Sequence, residues 1–405
     1  MQEKDRCRSY RILCIITGCG GGDWPPLLAL AEGLQRSGHD LMVVCDKSTV
    51  EAVQACGLTT LCLPLVLDLA NIFEPAISRL LSGEDKCLPG GENPLKIWGV
   101  SCVDFIRTSL KDWRPSLVIT SLLGTGFGAV WSKSLSTPWC FLNPSFYFGH
   151  SCGHLRDTDF SAAGGRMYGN WLLPLTEAAN LVLHATDQIF DICPAVLPSQ
   201  HKYVGPIFKE EPGNEEELLQ RSGPRWVLIA VSTSPQPDDL TIVSTAIRAL
   251  GSMDFRVLVT LAPGHNHEDL GRIPDNVYVR GYIPHSKVLP HCRLVISHAG
   301  HGIVMKSMAH GIPMVLVPWG RDQPGVAARA ERLGTAVVVP RAECRVSTIA
   351  EAIRKIVADP VYLDSSQRVS CRLRNMDGVA KAVNYIQRFL KNDTPFHTDQ
   401  LRENN

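Results

Sequence analysis

Short β-branched runs alternate with helical apolar patterns along almost the whole chain, which restricts the fold to βαβ units around parallel sheets. Arg11–Thr17 reads as a strand, Gly18–Gly22 as a turn and Leu27–Arg36 as a helix with Leu27, Leu28, Leu30, Ala31 and Leu34 on one face. Gly38 stops that helix before a strand at Leu41–Cys45. Further strands are predicted at Ser116–Ser121, Pro138–Leu142 and Leu181–His184, with a longer helical insertion over Asp68–Lys111. Between Pro206 and Pro224 the composition turns to Lys, Glu, Gly, Asn and Pro, as in a solvated linker.

The alternation then restarts, with strands at Trp226–Val231, Phe255–Thr260, Asn276–Arg280, Leu294–Ser297, Met314–Pro318 and Ala336–Val339. Helices between them are predicted at Thr241–Ala249, Ile303–Ala309 and Pro324–Leu333. Two more close the fold, Thr348–Val357 with Ser347 as its N-cap, and Gly378–Leu390. The expected architecture is α/β, two doubly wound Rossmann-like domains facing a cleft. The expected boundaries are a first domain over 1–205, a linker over 206–224 and a second domain over 225–375. A helix over 376–390 is expected to pack back on the first domain, and 391–405 to form a loose tail.

Composition narrows the function classes. Lys plus Arg is 40 and Asp plus Glu is 40, so no basic surface invites nucleic acid. The longest apolar runs, such as Val227–Val231 and Pro313–Trp319, fall far below the ~18 residues needed to cross a bilayer, so no stable membrane insertion is expected. Acidic Glu3 and Asp5 before the short apolar run Ile12–Ile16 favour a first buried strand over a secretory leader. The cysteine count is 14 without a CxxC pair, which reads as reduced thiols of a cytoplasmic enzyme. Cys152-Gly-His154 and the run His265–Asp269 lack partners at ligand spacing, so no metal is expected.

The segment Leu294-Val-Ile-Ser-His-Ala-Gly-His-Gly302 runs a strand into His298 and opens a helix at once. Glycines at 300 and 302 allow close backbone approach, and the free amides of the helix start suit a diphosphate. It is preceded by Gly281-Tyr-Ile-Pro-His285 and followed by Gly311-Ile-Pro313 and Asp322-Gln323. In this order and spacing the four pieces resemble the signature of the nucleotide-sugar-dependent glycosyltransferases of the GT-B type. Among these, the likeness is to the inverting family that includes plant, antibiotic and sterol enzymes.

The resemblance implies donor contacts from Tyr282 on the base, with the Ile283 backbone at the base edge. It implies that His298 and the backbone of Gly300, His301 and Gly302 hold the diphosphate, and that Asp322 and Gln323 hold the sugar hydroxyls. Trp319, and Ser232 and Thr233 after the second domain's first strand, fall on the donor side as well. Ile303 stands where many relatives carry a hydroxyl. Lys306 stands where plant-type members place a ribose-binding glutamate, with Ser307 as a substitute.

In the first domain, Gly18-Cys-Gly-Gly-Gly-Asp-Trp-Pro-Pro resembles the family's first strand-loop-helix, and the catalytic base falls on Asp23. The supporting aspartate of histidine-based relatives would fall near Thr120 or Ser121, where no carboxylate occurs. An N-cap role competes for Asp23, and His150 and His154 are alternative bases. Trp24, Phe146, Phe148 and His150 are the candidate acceptor contacts, suiting a small apolar hydroxylated acceptor. The expected reaction is sugar transfer from a UDP- or TDP-sugar, without a cofactor or obligatory metal, by a monomer or weak dimer. The alternatives are a non-catalytic sugar-nucleotide-binding relative, a sugar-nucleotide epimerase, and a nicotinamide oxidoreductase with Asp46 as its ribose acid.

Overall fold

The computed structural model describes residues 8–18, 22–69, 93–148, 172–209, 219, 225–231, 239–251, 253–261, 264–281 and 283–391. The first sheet contains β1 Arg11–Ile16, β2 Asp40–Cys45, β3 Thr59–Cys62, β4 Leu117–Thr120, β5 Trp139–Asn143, β6 Leu181–His184 and β7 His201–Tyr203. Its order is β3-β2-β1-β4-β5-β6-β7, with every pairing parallel. The second contains β8 Trp226–Ala230, β9 Arg256–Thr260, β10 Val277–Arg280, β11 Cys292–Ser297, β12 Met314–Leu316 and β13 Ala336–Val338. Its order is β10-β9-β8-β11-β12-β13, again all parallel. The strand order reverses between β1 and β4 in one sheet and between β8 and β11 in the other. Crevices for ligands open at the carboxyl ends of such switch points.

The helices of the first domain are α1 Trp24–Arg36, α2 Val50–Ala55, α3 Pro94–Leu110, α4 Thr125–Leu135 and α5 Leu173–Thr176. The second half carries α6 Asp239–Leu250, α7 His285–Val288, α8 His301–Ala309, α9 Gln323–Arg332, α10 Val346–Ala358, α11 Pro360–Leu373 and α12 Gly378–Lys391. One face of the first sheet packs Ile12, Cys14 and Ile16 against Leu27, Leu30 and Leu34 of α1 and Ile386 of α12. The opposite face packs Trp98, Phe127 and Phe141, and this core runs on into Met305, Met308 and Leu316 of the second domain. Because one apolar cluster spans both sheets, the crevices are held against each other by burial.

Helix α12 lies on α1 so closely that a Cβ on Gly33 would come within 2.4 Å of Val379 Cγ1. The Tyr10 hydroxyl caps its end by donating to the Leu390 carbonyl at 3.2 Å. Among the described residues no helix is long and apolar enough to cross a membrane. Every described cysteine is a free thiol.

Several elements depart from the sequence reading. Ser347 is not an N-cap: α10 begins at Val346 after Arg345. A third closing helix, α11, follows it, capped by Asp359 accepting from the Val361 amide at 3.0 Å. Its apolar stripe is sparse, with Val361 and Leu363 exposed, so periodicity does not reveal it. Strands β3 and β7 are equally hidden, one half-exposed and the other only three residues long. Within the expected insertion over Asp68–Lys111, α3 occupies Pro94–Leu110 and is capped by the Asn93 side chain. Residues 70–92, like 19–21 of the glycine turn, lie outside the described residues.

Candidate functional site

Asp23 ends the loop after β1 and is buried at the first sheet's switch point. Its carboxylate does not cap α1, since Asp23 is already helical and makes no side-chain cap bond. The carboxylate instead reaches the loop after β4. Oδ1 accepts from the Leu122 amide at 2.9 Å, while Oδ2 accepts from the Ser121 hydroxyl at 2.8 Å and the Leu123 amide at 3.1 Å. A carboxylate has about four acceptor positions, so this cradle orients the group and leaves capacity on Oδ1. Burial raises the Asp23 pKa above its ordinary value, the Leu123, Ser121 and Leu122 bonds oppose that shift, and the Asp322 charge adds to it.

His298 follows β11 at the second sheet's switch point. It is 7% exposed, and among the described residues its Nδ1 has no hydrogen-bond partner. Burial lowers its pKa to about 4, with the Ala230 backbone opposing and Arg321 reinforcing, so the ring is neutral at pH 7 and can serve as a hydrogen-bond donor. A Cβ at Gly300 would stand 2.5 Å from His298 Nε2, so any larger residue there would push the imidazole aside. Ala299 between them is held at φ 67°, a left-handed conformation that costs an alanine about 1–2 kcal/mol. Helix α8 starts here with Gly302 exposed, so its first amides face the crevice.

Asp322, at the start of α9, brings the two halves together. The Ser145 hydroxyl of the first domain donates a short hydrogen bond to Asp322 Oδ2. Ser145 is itself fixed by its amide, which donates to Asn143 Oδ1 at 3.0 Å. Burial raises the Asp322 pKa, and the Ser145 bond opposes it. Two carboxylates from opposite domains thus lie within electrostatic reach of one another, each held by hydroxyl or amide donors.

The remaining candidates divide. Ile283 is buried, and Trp319 is half-buried beneath the Arg341 guanidinium, 4.2 Å from its ring centre. Gln323 Oε1 accepts from the Trp319 and Gly320 amides at 2.7 and 2.9 Å, bracing the loop that carries Asp322. Ser307 is wholly buried and among the described residues its Oγ has no hydrogen-bond partner, while Lys306 beside it is half-buried and adds to burial in lowering the pKa of His285. His301 is expected at the diphosphate through its backbone, and its side chain serves the domain junction: Nε2 meets Thr186 Oγ1 of the first domain at 3.2 Å and the ring packs edge-on against Phe190.

Phe146 is a correction. It is fully buried beneath the Arg329 guanidinium at 3.8 Å and forms interdomain core instead of a pocket wall. Trp24 packs on the α1 face of the sheet and Phe148 on the opposite face, so they do not share one wall. Tyr282, Ser232, Thr233, His150 and His154 lie outside the described residues. Asp46, the alternative ribose acid, is occupied by Gly18, Ser48 and Thr49 and braces the glycine turn. The run His265–Asp269 forms a capped turn between Asn266 and Asp269. Sequence reading places the base's support near Thr120 or Ser121 and finds no carboxylate there, and it missed Leu122, Leu123 and Ser145; backbone amides carry no residue-type signal, and only the strand order brings these loops to the carboxylates.

Comparison with known proteins agrees with this fold. Residues 244–376 match the family described as erythromycin biosynthesis protein CIII-like, C-terminal domain. The NDP-glycosyltransferase YjiC of Bacillus subtilis (strain 168) is 25% identical over 90% of this chain and 94% of its own. A sterol 3-beta-glucosyltransferase of Candida albicans is 22% identical over 93% of this chain, which spans only 28% of that longer protein. The solved calicheamicin glycosyltransferase CalG4 superposes with a TM-score of 0.74 at 20% identity, covering 96% of this chain and 100% of that one. The chain thus has the GT-B fold and is similar over 90% of its length to an NDP-glycosyltransferase.

Proposed function

We propose that the protein transfers a sugar from a UDP- or TDP-sugar to a hydroxylated apolar acceptor, with the donor on the second domain and the acceptor on the first. The observation that carries this reading is the pair Asp23 and Asp322, set at the cleft from opposite domains and close enough for one charge to raise the other's pKa. In the reaction the acceptor O–H proton passes to Asp23 as its oxygen bonds to the anomeric carbon. The anomeric bond to the diphosphate breaks, and its electron pair leaves with the phosphate. Such positioned proton transfer contributes typically 10²–10⁴-fold.

The start of α8 and neutral His298 stabilise the leaving diphosphate by hydrogen bonds. Asp322, aligned by Ser145, accepts from the sugar hydroxyls. Attack from the face opposite the leaving group inverts the anomeric carbon. Relatives named for sterol and calicheamicin support an apolar acceptor, and the free thiols suit the cytoplasm.

The test is mass spectrometry of products from a matrix of UDP- and TDP-sugars against sterol, triterpenoid, flavonoid and polyketide acceptors. A glycosylated product is expected, and Asp23→Asn should lower its rate at least a hundredfold. Turnover of Asp23→Asn within a few-fold of wild type would remove Asp23 as the base. A matrix without any product would overturn the acceptor class.

A further inference from the structure

A cavity of about 270 Å³ lies in the first domain, between α5 and the face of the sheet formed by β5, β6 and β7. Its apolar wall comes from Phe141, Tyr147, Phe148 and Leu173, and its polar wall includes Asn143, His184 and His201. None of the groups that hold Asp23 or Asp322 directly lines it. We propose that this cavity is a second small-molecule site, taking a compact one- or two-ring compound that carries a hydrogen-bond-accepting oxygen.

The hydrogen-bond chain along the polar wall determines what the site offers. Asn143 Oδ1 accepts from the Ser145 amide, so its amide nitrogen is identified and donates to the Phe146 carbonyl at 2.7 Å and to His184 Nδ1 at 3.1 Å. His184 Nδ1 is therefore an acceptor, and its proton sits on Nε2. That Nε2–H donates to His201 Nδ1 at 2.9 Å, which places the His201 proton on Nε2 in turn. Burial keeps both rings neutral at pH 7, lowering His184 to about 3 and His201 to about 4. The chain has one direction, from amide to ring to ring, and it ends in an N–H donor on a residue of the cavity wall. A ligand oxygen that accepts a hydrogen bond completes it.

The rest of the wall selects shape. Tyr147 stands edge-on to both imidazoles, with centroids 5.6 and 5.2 Å away, so the polar wall is framed by an aromatic ring. Phe141, Phe148 and Leu173 are each 3% exposed or less and offer only apolar surface. A volume below the ~300–1,000 Å³ of ordinary drug-sized pockets admits one or two rings and excludes a whole tetracyclic skeleton. A phenol or an aromatic ketone meets these requirements.

The experiment is equilibrium dialysis of 2-naphthol, with naphthalene as the oxygen-free probe, against the full chain. Saturable binding of 2-naphthol at the cavity is expected, in addition to any binding at the acceptor position. It should weaken at least tenfold in His201→Phe, which keeps the ring and removes the donor, and in Gln200→Trp, which obstructs the cavity at another lining residue. Naphthalene binding should respond to Gln200→Trp alone, and Asp23→Asn should bind 2-naphthol as wild type does. Absence of saturable binding, or binding within twofold of wild type in both cavity variants, would overturn the proposal. So would loss of binding in Asp23→Asn, which would put the probe beside the base. Glycosyl transfer in the donor–acceptor matrix reads separately from all of these.

Discussion

Arg329 Nε donates to Asp191 Oδ1 at 2.9 Å, and neither side chain is more than 1% exposed. The pair joins the domains: Arg329 belongs to α9, while Asp191 lies beyond β6 and also accepts from the Tyr147 amide and the Tyr203 hydroxyl. Removing one member of a buried pair leaves the other charge unpaired, which costs about 3–5 kcal/mol. Arg329→Met should therefore lower stability by that amount in urea unfolding. Arg329→Met with Asp191→Asn should recover part of it, and a double variant whose loss equals the sum of the two single losses would show that the pair is not coupled.

The pH dependence of transfer follows from the two carboxylates. Burial first, and Asp322 in addition, raise the Asp23 pKa above 3.8. A general base acts only when ionised, so kcat/KM should fall on acidification at a higher pH than an ordinary carboxylate would give. In Asp322→Asn one raising cause is gone, and the acid limb of the residual activity should move to lower pH. A group whose folded pKa is raised stabilises the fold below its unfolded value and loses that contribution as pH rises through the folded value. Neutralising Asp322, whose pKa is also raised, should thus increase stability at pH 7. An acid limb that stays in place in Asp322→Asn would remove the coupling.

The parts of this site that could be read in advance are those written locally. The run from Leu294 to Gly302 carries strand, glycine and helix start in adjacent positions, and β11, His298 and α8 follow from it. Asp23 could be aligned on its Pro-Pro helix start and its support expected near Thr120 or Ser121, but not the hydroxyl and amide cradle that Ser121, Leu122 and Leu123 form from 98 to 100 residues away. Ser145 and Asp322 are 177 residues apart and meet only because two separate sheets pack together. Aromatic content alone does not separate a pocket wall from a core, so Phe146 reads as an acceptor contact until Arg329 is seen above it.

Acid stability should be limited by buried histidines. His184 is 1% exposed and its pKa is lowered to about 3, by burial and by neighbouring His201. The folded state binds fewer protons than the unfolded chain, so this contribution is complete above the unfolded pKa near 6.5 and is lost as pH falls towards 3. His184→Gln should be less stable than wild type at pH 7 because it breaks the bonds to Asn143 and His201. That deficit should shrink by about 2 kcal/mol at pH 5, where wild type bears the cost of a neutral buried ring. Urea midpoints at both pH values measure it, and a deficit independent of pH would mean that His184 does not titrate in this way.

Gly300 offers a sharper test of the donor corner than its neighbours. A methyl group there would sit 2.5, 3.2 and 3.4 Å from Nε2, Cε1 and Cδ2 of His298, a ring that is only 7% exposed and has little room to swing away. Gly300→Ala should displace the imidazole from the phosphate position and raise the donor KM at least tenfold. Gly302→Ala is the matched comparison for stability: its Cβ would meet nothing within 4 Å, and it lies within α8, where alanine gains about 0.5–1 kcal/mol over glycine. Melting temperatures should therefore rise for Gly302→Ala and fall for Gly300→Ala. Donor kinetics unchanged in Gly300→Ala, with the crowding relieved elsewhere, would take His298 out of donor binding.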